Sequence, residues 1–262
     1  MAVSKTAAFF DLDKTIIATS SAAAFSRPFL AQGLMNRRAV LRSAYAHFLY
    51  LIGGADEDQT ERMRAYLSDL VAGWDVAHVK AIVSETLHEH IDPYVYSEAV
   101  ELIAEHHAAG RDVVVVSASG SELVEPIAAA LGADHTVSTR MEVLDGHYTG
   151  KIDFYCYGEN KAHAMRELAE QEGYDLSKSY AYSDSITDAP MLEAVGFGNA
   201  VNPDRGLRRL AETNGWGVLT FASPVSLWRH IPVSRTWSFS LVGAATVGIV
   251  LLWWLRRRRR RS

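Results

Sequence analysis

The 262-residue chain contains a single cysteine, Cys156. An intramolecular disulfide framework and a cysteine-based metal cluster are therefore excluded, and the usage suits a reducing compartment. No secretory signal is expected, because the apolar residues Ala7 to Phe10 are few and run straight into Asp11. There is no internal repeat, and no low-complexity segment apart from Arg256 to Arg261. Carboxylates are missing between Asp13 and Asp56, and residues 238–255 carry no charge at all. Positive charge is also scarce in the body of the chain. Of 26 basic residues six lie in the arginine run, which leaves 20 basic against 31 acidic, a balance of −11. So acidic a body argues against a nucleic-acid groove, and no nucleic-acid partner is expected.

What is present reads as a folded protein of one or two domains, 48% hydrophobic and 22% charged. Ala7 to Phe10 predicts a buried strand ending at Asp11. From about Ser20 to His107 the pattern is mostly helical, with glycine stops at Gly53-Gly54, Gly73 and Gly110. Val113 to Val116 is a β-branched run suited to a strand buried on both faces. Helices are predicted over Glu122 to Leu131 and Lys161 to Glu172, and a hairpin over Thr136 to Asp153, turning at Asp145-Gly146. Ser179 to Tyr182 predicts a strand and Pro190 to Ala194 a short helix. A strand–helix–strand unit over Phe197–Val201, Leu207–Thr213 and Gly217–Phe221 completes the pattern. Strands alternating with helices imply an α/β, Rossmann-like parallel sheet covered on both faces. The helical stretch after the first strand is too long for one crossover, so residues 18–90 are expected to form an inserted cap. Residues 1–17 and 91–225 would form the core.

Ligands of such sheets collect at the carboxyl ends of strands. Polar clusters follow three predicted strands: Asp11-Leu12-Asp13-Lys14-Thr15, Ser117-Ala118-Ser119-Gly120 and Ser183-Asp184-Ser185-Ile186-Thr187-Asp188. Lys161 opens a helix between the last two. Carboxylates to hold a hard cation, with a hydroxyl and a lysine for phosphate oxygens, are what phosphoryl transfer requires. Each piece alone has an ordinary explanation. An isolated Asp-x-Asp is usually a solvated turn, Ser117 a helix cap, Lys161 a surface residue, and Asp184 and Asp188 caps of the next helix. Their co-occurrence in order, each at a strand end, is what points to a site. His106 and His107, at a helix end, are expected on the surface. Cys156, with no basic neighbour, is given no chemistry.

Asp-x-Asp-x-Thr, then Ser, then Lys, then Asp-x-x-x-Asp resembles the haloacid-dehalogenase phosphatase family across residues 7–221. The helical insertion resembles the type-I cap of its phosphoserine-phosphatase-like subgroup. So does the run Ala200-Val201-Asn202-Pro203-Asp204 followed by Gly215-Trp216. The resemblance implies a phosphomonoesterase in which Asp11 attacks phosphorus and becomes transiently phosphorylated. Asp13 would act as general acid and then base. Mg²⁺ would be held by the Asp11 carboxylate, the Asp13 carbonyl and Asp184. Asp188 would support the metal and position Lys161. Ser117 and Lys161 would bind the phosphate, and Thr15 would tighten the loop. One departure stands out. Where phosphoserine phosphatases carry an acidic residue about nine positions after the nucleophile, this chain has Ser20, which weakens a phosphoserine substrate. Lys14 replaces a residue that is often small and adds positive charge to the same loop. Arg27, Arg37, Arg38, Arg42, Arg62 and Arg64 supply positive charge to the cap.

Residues 238–255 would span ~27 Å as a helix, against ~30 Å of hydrocarbon. Trp237 and Trp253-Trp254 flank the run. A single membrane helix is expected over 238–255, after a juxtamembrane linker 226–237 and before a basic tail 256–262. The arginine tail argues for a cytoplasmic C-terminus. A Mg²⁺-dependent enzyme with a reduced cysteine, and positive charge at Arg229 and Arg235, favour a cytoplasmic catalytic domain instead. The expectation is a single-pass membrane protein with the catalytic domain in the cytoplasm, as a tail anchor or a partly interfacial helix. Its substrate would be a lipid-linked or membrane-associated phosphate. The alternatives are a small soluble phosphomonoester, transfer to an acceptor other than water, or a non-catalytic membrane adaptor.

Overall fold

Ala7–Asp11 (β1) is buried along its whole length, and its side chains divide between two cores. Ala8 and Phe10 join one apolar cluster, Ala7 and Phe9 the other. That alternation is the strand period of two expressed on a sheet covered on both sides. The computed structural model describes residues 5–35 and 68–224. Its other strands are β2 (Asp112–Gly120), β3 (His135–Leu144), β4 (His147–Phe154), β5 (Tyr180–Ser183), β6 (Phe197–Val201) and β7 (Gly217–Leu219). They form one sheet in the order β4-β3-β2-β1-β5-β6-β7. All neighbours are parallel except β3 and β4.

The described helices are α1 (Ser21–Ala24), α2 (Ser26–Ala31), α3 (Val76–His90), α4 (Ser97–Ala108), α5 (Ser121–Leu131), α6 (Glu159–Glu172), α7 (Ala189–Glu193) and α8 (Arg205–Asn214). Val79, Ile82 and Val83 of α3, Ile103 of α4 and Ile127 of α5 pack with Phe10 and Val115. Met165 of α6, Leu192 of α7 and Leu207 of α8 pack with Phe9 and Val114 on the opposite face. The expected Rossmann-like arrangement is therefore present, with the strand order reversing at β1. The strands after β1 build outward through β2, β3 and β4, and β5 then returns to β1's other side. A crevice opens at such a switch point.

Within the expected 18–90 cap, α1, α2 and α3 contribute Phe25, Phe29, Val79 and Leu87 to the cluster that holds Phe10. Residues 36–67 of that segment, with Arg37, Arg38, Arg42, Arg62 and Arg64, lie outside the described residues. So do the linker 226–237, the expected membrane helix 238–255 and the tail 256–262. Among the described residues no helix is long and apolar enough to cross a membrane.

The predicted hairpin turns at Asp145 and Gly146, with φ of 50° and 80°. Two consecutive positive φ values make the tight turn that matches strand twist, and Asp-Gly accommodates it. The outer side of β4 is not bare. Tyr148 accepts from Gly73 N at 2.8 Å and donates to Trp74 O at 3.0 Å, and Val76 N donates to Gly146 O at 2.9 Å.

One expectation is overturned. His106 is 2% exposed rather than on the surface, whereas His107 is exposed as predicted. Arg111 Nε donates to His106 Nδ1 at 2.6 Å, and His106 Nε2 lies 2.8 Å from Tyr182 Oη. With Nδ1 accepting, the proton sits on Nε2 and points at the tyrosine. Burial, then the nearby Arg111 cation, pulls the imidazole down to about 4, so it is neutral near pH 7. A helix-end position hid this role, because its partner Tyr182 lies on a distant strand.

Candidate active site

Strand register brings the predicted polar clusters to one edge. Asp11 pairs with Val116, so Ser117 stands one step further along the adjacent strand. Phe10 pairs with Tyr182, which sets Ser183 level with Asp11 on the other side. β2 runs to Gly120, so Ser117 lies inside the strand rather than after it.

Beyond β1 the chain turns tightly. Leu12 O accepts from Thr15 N, Ile16 N and Ile17 N at 3.4, 2.9 and 3.1 Å. Leu12, Ile16 and Ile17 are wholly buried and anchor the turn. Lys14 adopts φ 65° within it. Thr15 is buried, but its hydroxyl has no hydrogen-bond partner, so its part in the turn is played by its backbone.

Lys161 sits in the first turn of α6, preceded by Gly158 at φ 56° and ψ −126°, a conformation that favours glycine. Its ammonium is 3% exposed and lies between two carboxylates. Nζ donates to Asp11 Oδ1 at 2.6 Å and to Asp188 Oδ2 at 2.7 Å. Although burial alone would lower the lysine, Asp11 and Asp188 together hold it above its ordinary range, and it stays charged. Asp188 Oδ2 also accepts from the buried Ser183 hydroxyl at 2.7 Å. Asp184 is tied down by its backbone, accepting from Asp204 N at 2.8 Å. Asp204 in turn accepts from Ile186 N through Oδ2 and from Leu207 N through Oδ1, each at 2.8 Å. It thereby fixes the Asp184–Asp188 loop to the start of α8.

Asp13 is held on both oxygens. Ser21 N donates to Oδ1 at 2.8 Å and Ser119 Oγ to Oδ2 at 2.9 Å. Burial still raises its carboxyl. Burial also raises Asp11, with Lys161 opposing and the carboxylates of Asp188 and Asp184 adding to the rise. Asp184 is pushed up to about 6, first by burial, with Lys14 and Lys161 opposing and Asp188 adding. The cluster thus contains more buried negative charge than its lysines balance. A hard divalent cation suits that excess and the oxygen donors present. Among the described residues no three Asp, Glu, His or Cys side chains converge on a point. Cys156 does have a basic neighbour in space, Lys161, which its flanking tyrosines do not reveal. Burial nevertheless pushes the thiol up to about 12, so no thiolate is present near pH 7.

Residues 8–193 match the haloacid dehalogenase-like hydrolase family. The chain belongs to that family. The hydrolase is 62% identical over 248 residues to a Mycobacterium tuberculosis protein named "Probable phosphatase", covering 95% of this chain and 86% of the relative. It is 37% identical over 217 residues to a phosphoserine phosphatase of the same organism, covering 82% and 70%. A solved structure of a Bordetella pertussis protein of unknown function superposes with a TM-score of 0.73. That protein is 30% identical, and the match covers 83% of this chain and 99% of it. The hydrolase is a phosphatase, of the phosphoserine-phosphatase-like kind.

The structure brings Asp11, Lys161 and Asp188 into direct contact, with Asp13 in the turn after β1, Ser117 within β2 beside Asp11, and Asp184 just past the end of β5. Asp188 lies in a short 3₁₀ turn, Ile186–Asp188, ahead of α7. Ser21, Ser119, Ser183 and Asp204 also belong to the arrangement, though the sequence motifs give them no role. Ser119 and Ser183 lie in the polar clusters at strand ends, the only sequence signal they offer. Ser21 offers none beyond following Ser20.

Proposed function

We propose that the hydrolase is a Mg²⁺-dependent phosphomonoesterase that works through an aspartyl-phosphate on Asp11. The observation that carries this reading is Lys161 Nζ bridging Asp11 and Asp188 in a buried site at the switch point of the sheet. The ammonium pairs with Asp11 Oδ1, which leaves Oδ2 as the oxygen to attack phosphorus. Lys161 also offers a fixed positive charge to the phosphoryl oxygens, and Ser117 a hydroxyl. As the bond from Asp11 to phosphorus forms, the bond to the leaving oxygen breaks and Asp13 supplies that oxygen's proton. Asp13 then takes a proton from the water that releases phosphate from Asp11. When bound by Asp11, Asp184 and the Asp13 carbonyl, Mg²⁺ supplies charge neutralisation of the phosphate and the carboxylates.

Ser20, in place of an acidic residue, supports a substrate without an amine near its phosphate. We further propose that 238–255 attaches the enzyme to a membrane with its catalytic domain in the cytoplasm, and that a lipid-linked phosphate is the substrate. The uncharged, tryptophan-flanked run supports this. A panel of lipid phosphates in detergent and soluble phosphomonoesters, assayed with the full chain, tests the whole reading. Chelation should abolish turnover and Mg²⁺ restore it, with the lipid phosphates turned over best. Activity that survives thorough chelation would sink the metal requirement. Preference for soluble esters over every lipid phosphate would sink the lipid substrate and leave the phosphatase chemistry intact.

A further inference from the structure

Asp13 is gripped by two separate elements. Ser119, near the end of β2, donates to Oδ2 at 2.9 Å, and the Ser21 amide at the start of α1 donates to Oδ1 at 2.8 Å. The two serines are joined to each other, with Ser21 Oγ donating to Ser119 Oγ at 2.8 Å. Ser119 N donates in turn to Ser117 Oγ at 3.2 Å, so the chain of contacts runs on to the hydroxyl assigned to phosphate. Ser21 is wholly buried. Its hydroxyl is therefore satisfied within the site, by Ser119 and by Asp13 itself.

A carboxylate on a turn has two free side-chain torsions, and a proton donor must reach its acceptor within ~2.6–3.2 Å. A misplacement of ~1 Å costs about 100-fold in rate. Pinning both oxygens from opposite elements removes that freedom. We propose that Ser119 and Ser21 are positioning residues that hold Asp13 in its proton-transfer orientation. The proposal rests on the reading of Asp13 as the acid–base group.

The step at stake is departure of the leaving oxygen: its bond to phosphorus breaks, the bond to Asp11 forms, and the proton passes from Asp13 to the departing oxygen. A leaving group acidic enough to depart as an anion needs no proton. The test is therefore kcat/KM across a series of aryl phosphates of graded phenol acidity plus one alkyl phosphate, with the full chain and Mg²⁺. Ser119→Ala should lose ~10-fold or more on the alkyl ester and less than ~2-fold on a dinitrophenyl ester, a fraction of the ~10²–10⁴ that general acid catalysis supplies. Ser119→Thr keeps the hydroxyl and should restore the wild-type dependence. Ser21→Ala keeps its amide and should shift the dependence the same way by less. The slope compares substrates on one preparation, so partial unfolding does not imitate it. A wild-type slope in Ser119→Ala beside a steep one in Asp13→Asn overturns the positioning role alone. A wild-type slope in Asp13→Asn removes the acid–base reading and this proposal with it.

Discussion

Asp11→Asn should remove phosphatase activity, lowering kcat for a generic aryl phosphate by on the order of 10⁴ or more. The carboxamide has nearly the shape of the carboxylate but lacks its nucleophilicity, so no aspartyl-phosphate can form. The fold should survive. β1 is held by Phe9 and Phe10 on its two faces, and Lys161 retains Asp188 at 2.7 Å. Losing one of the carboxylates around the site also relieves repulsion from Asp188 and Asp184. Thermal melting should therefore show a midpoint close to or above that of the wild type while turnover disappears. An unchanged rate in a correctly folded variant would refute the assignment of Asp11 as nucleophile.

Lys161→Met should be the most damaging single change to stability at the site. The substitution keeps length and removes charge, leaving Asp11 and Asp188 buried without the cation between them. Breaking a buried pair by deleting one partner costs ~3–5 kcal/mol. For a chain of this size that lowers the melting midpoint by roughly 10 °C, at ~2–4 °C per kcal/mol. Activity should fall as well, since the fixed charge facing the phosphate is gone. A second change separates charge from packing. Asp188→Asn added to Lys161→Met should recover part of the lost stability, because the orphaned carboxylate goes with its partner. If the double variant melts at the sum of the two single losses, the three groups do not act as one electrostatic unit.

The sheet and much of the site were legible because each strand announces itself. Ala7 to Phe10 and Val113 to Val116 are apolar runs that end in polar clusters, and in a parallel sheet those ends share one edge. Lys161 was legible only through its order among the motifs, since nothing local marks a helical lysine as buried. What stayed hidden are contacts between distant residues of ordinary type. Ser21 meets Ser119 across 98 positions, and nothing local to either serine marks the other as its partner. His106 meets Tyr182 across 76 positions, and the helical period alone did not say which face met the sheet. Asp204 looked like part of a family signature, and only the fold shows it bracing the loop of Asp184.

The loop Gly73–Asp75 that lies beside β4 has a bearing on solubility. An open sheet has two outer strands whose unpaired amides and carbonyls invite pairing with another chain. Here one outer strand already exchanges hydrogen bonds with Gly73 and Trp74 through Tyr148, and further along it any side chain at Gly150 would run into Ala72 and the Ser68 carbonyl. The other, β7, is three residues long. The return of the inserted segment to the core thus doubles as a selvedge, which stops the sheet from unravelling into its neighbours.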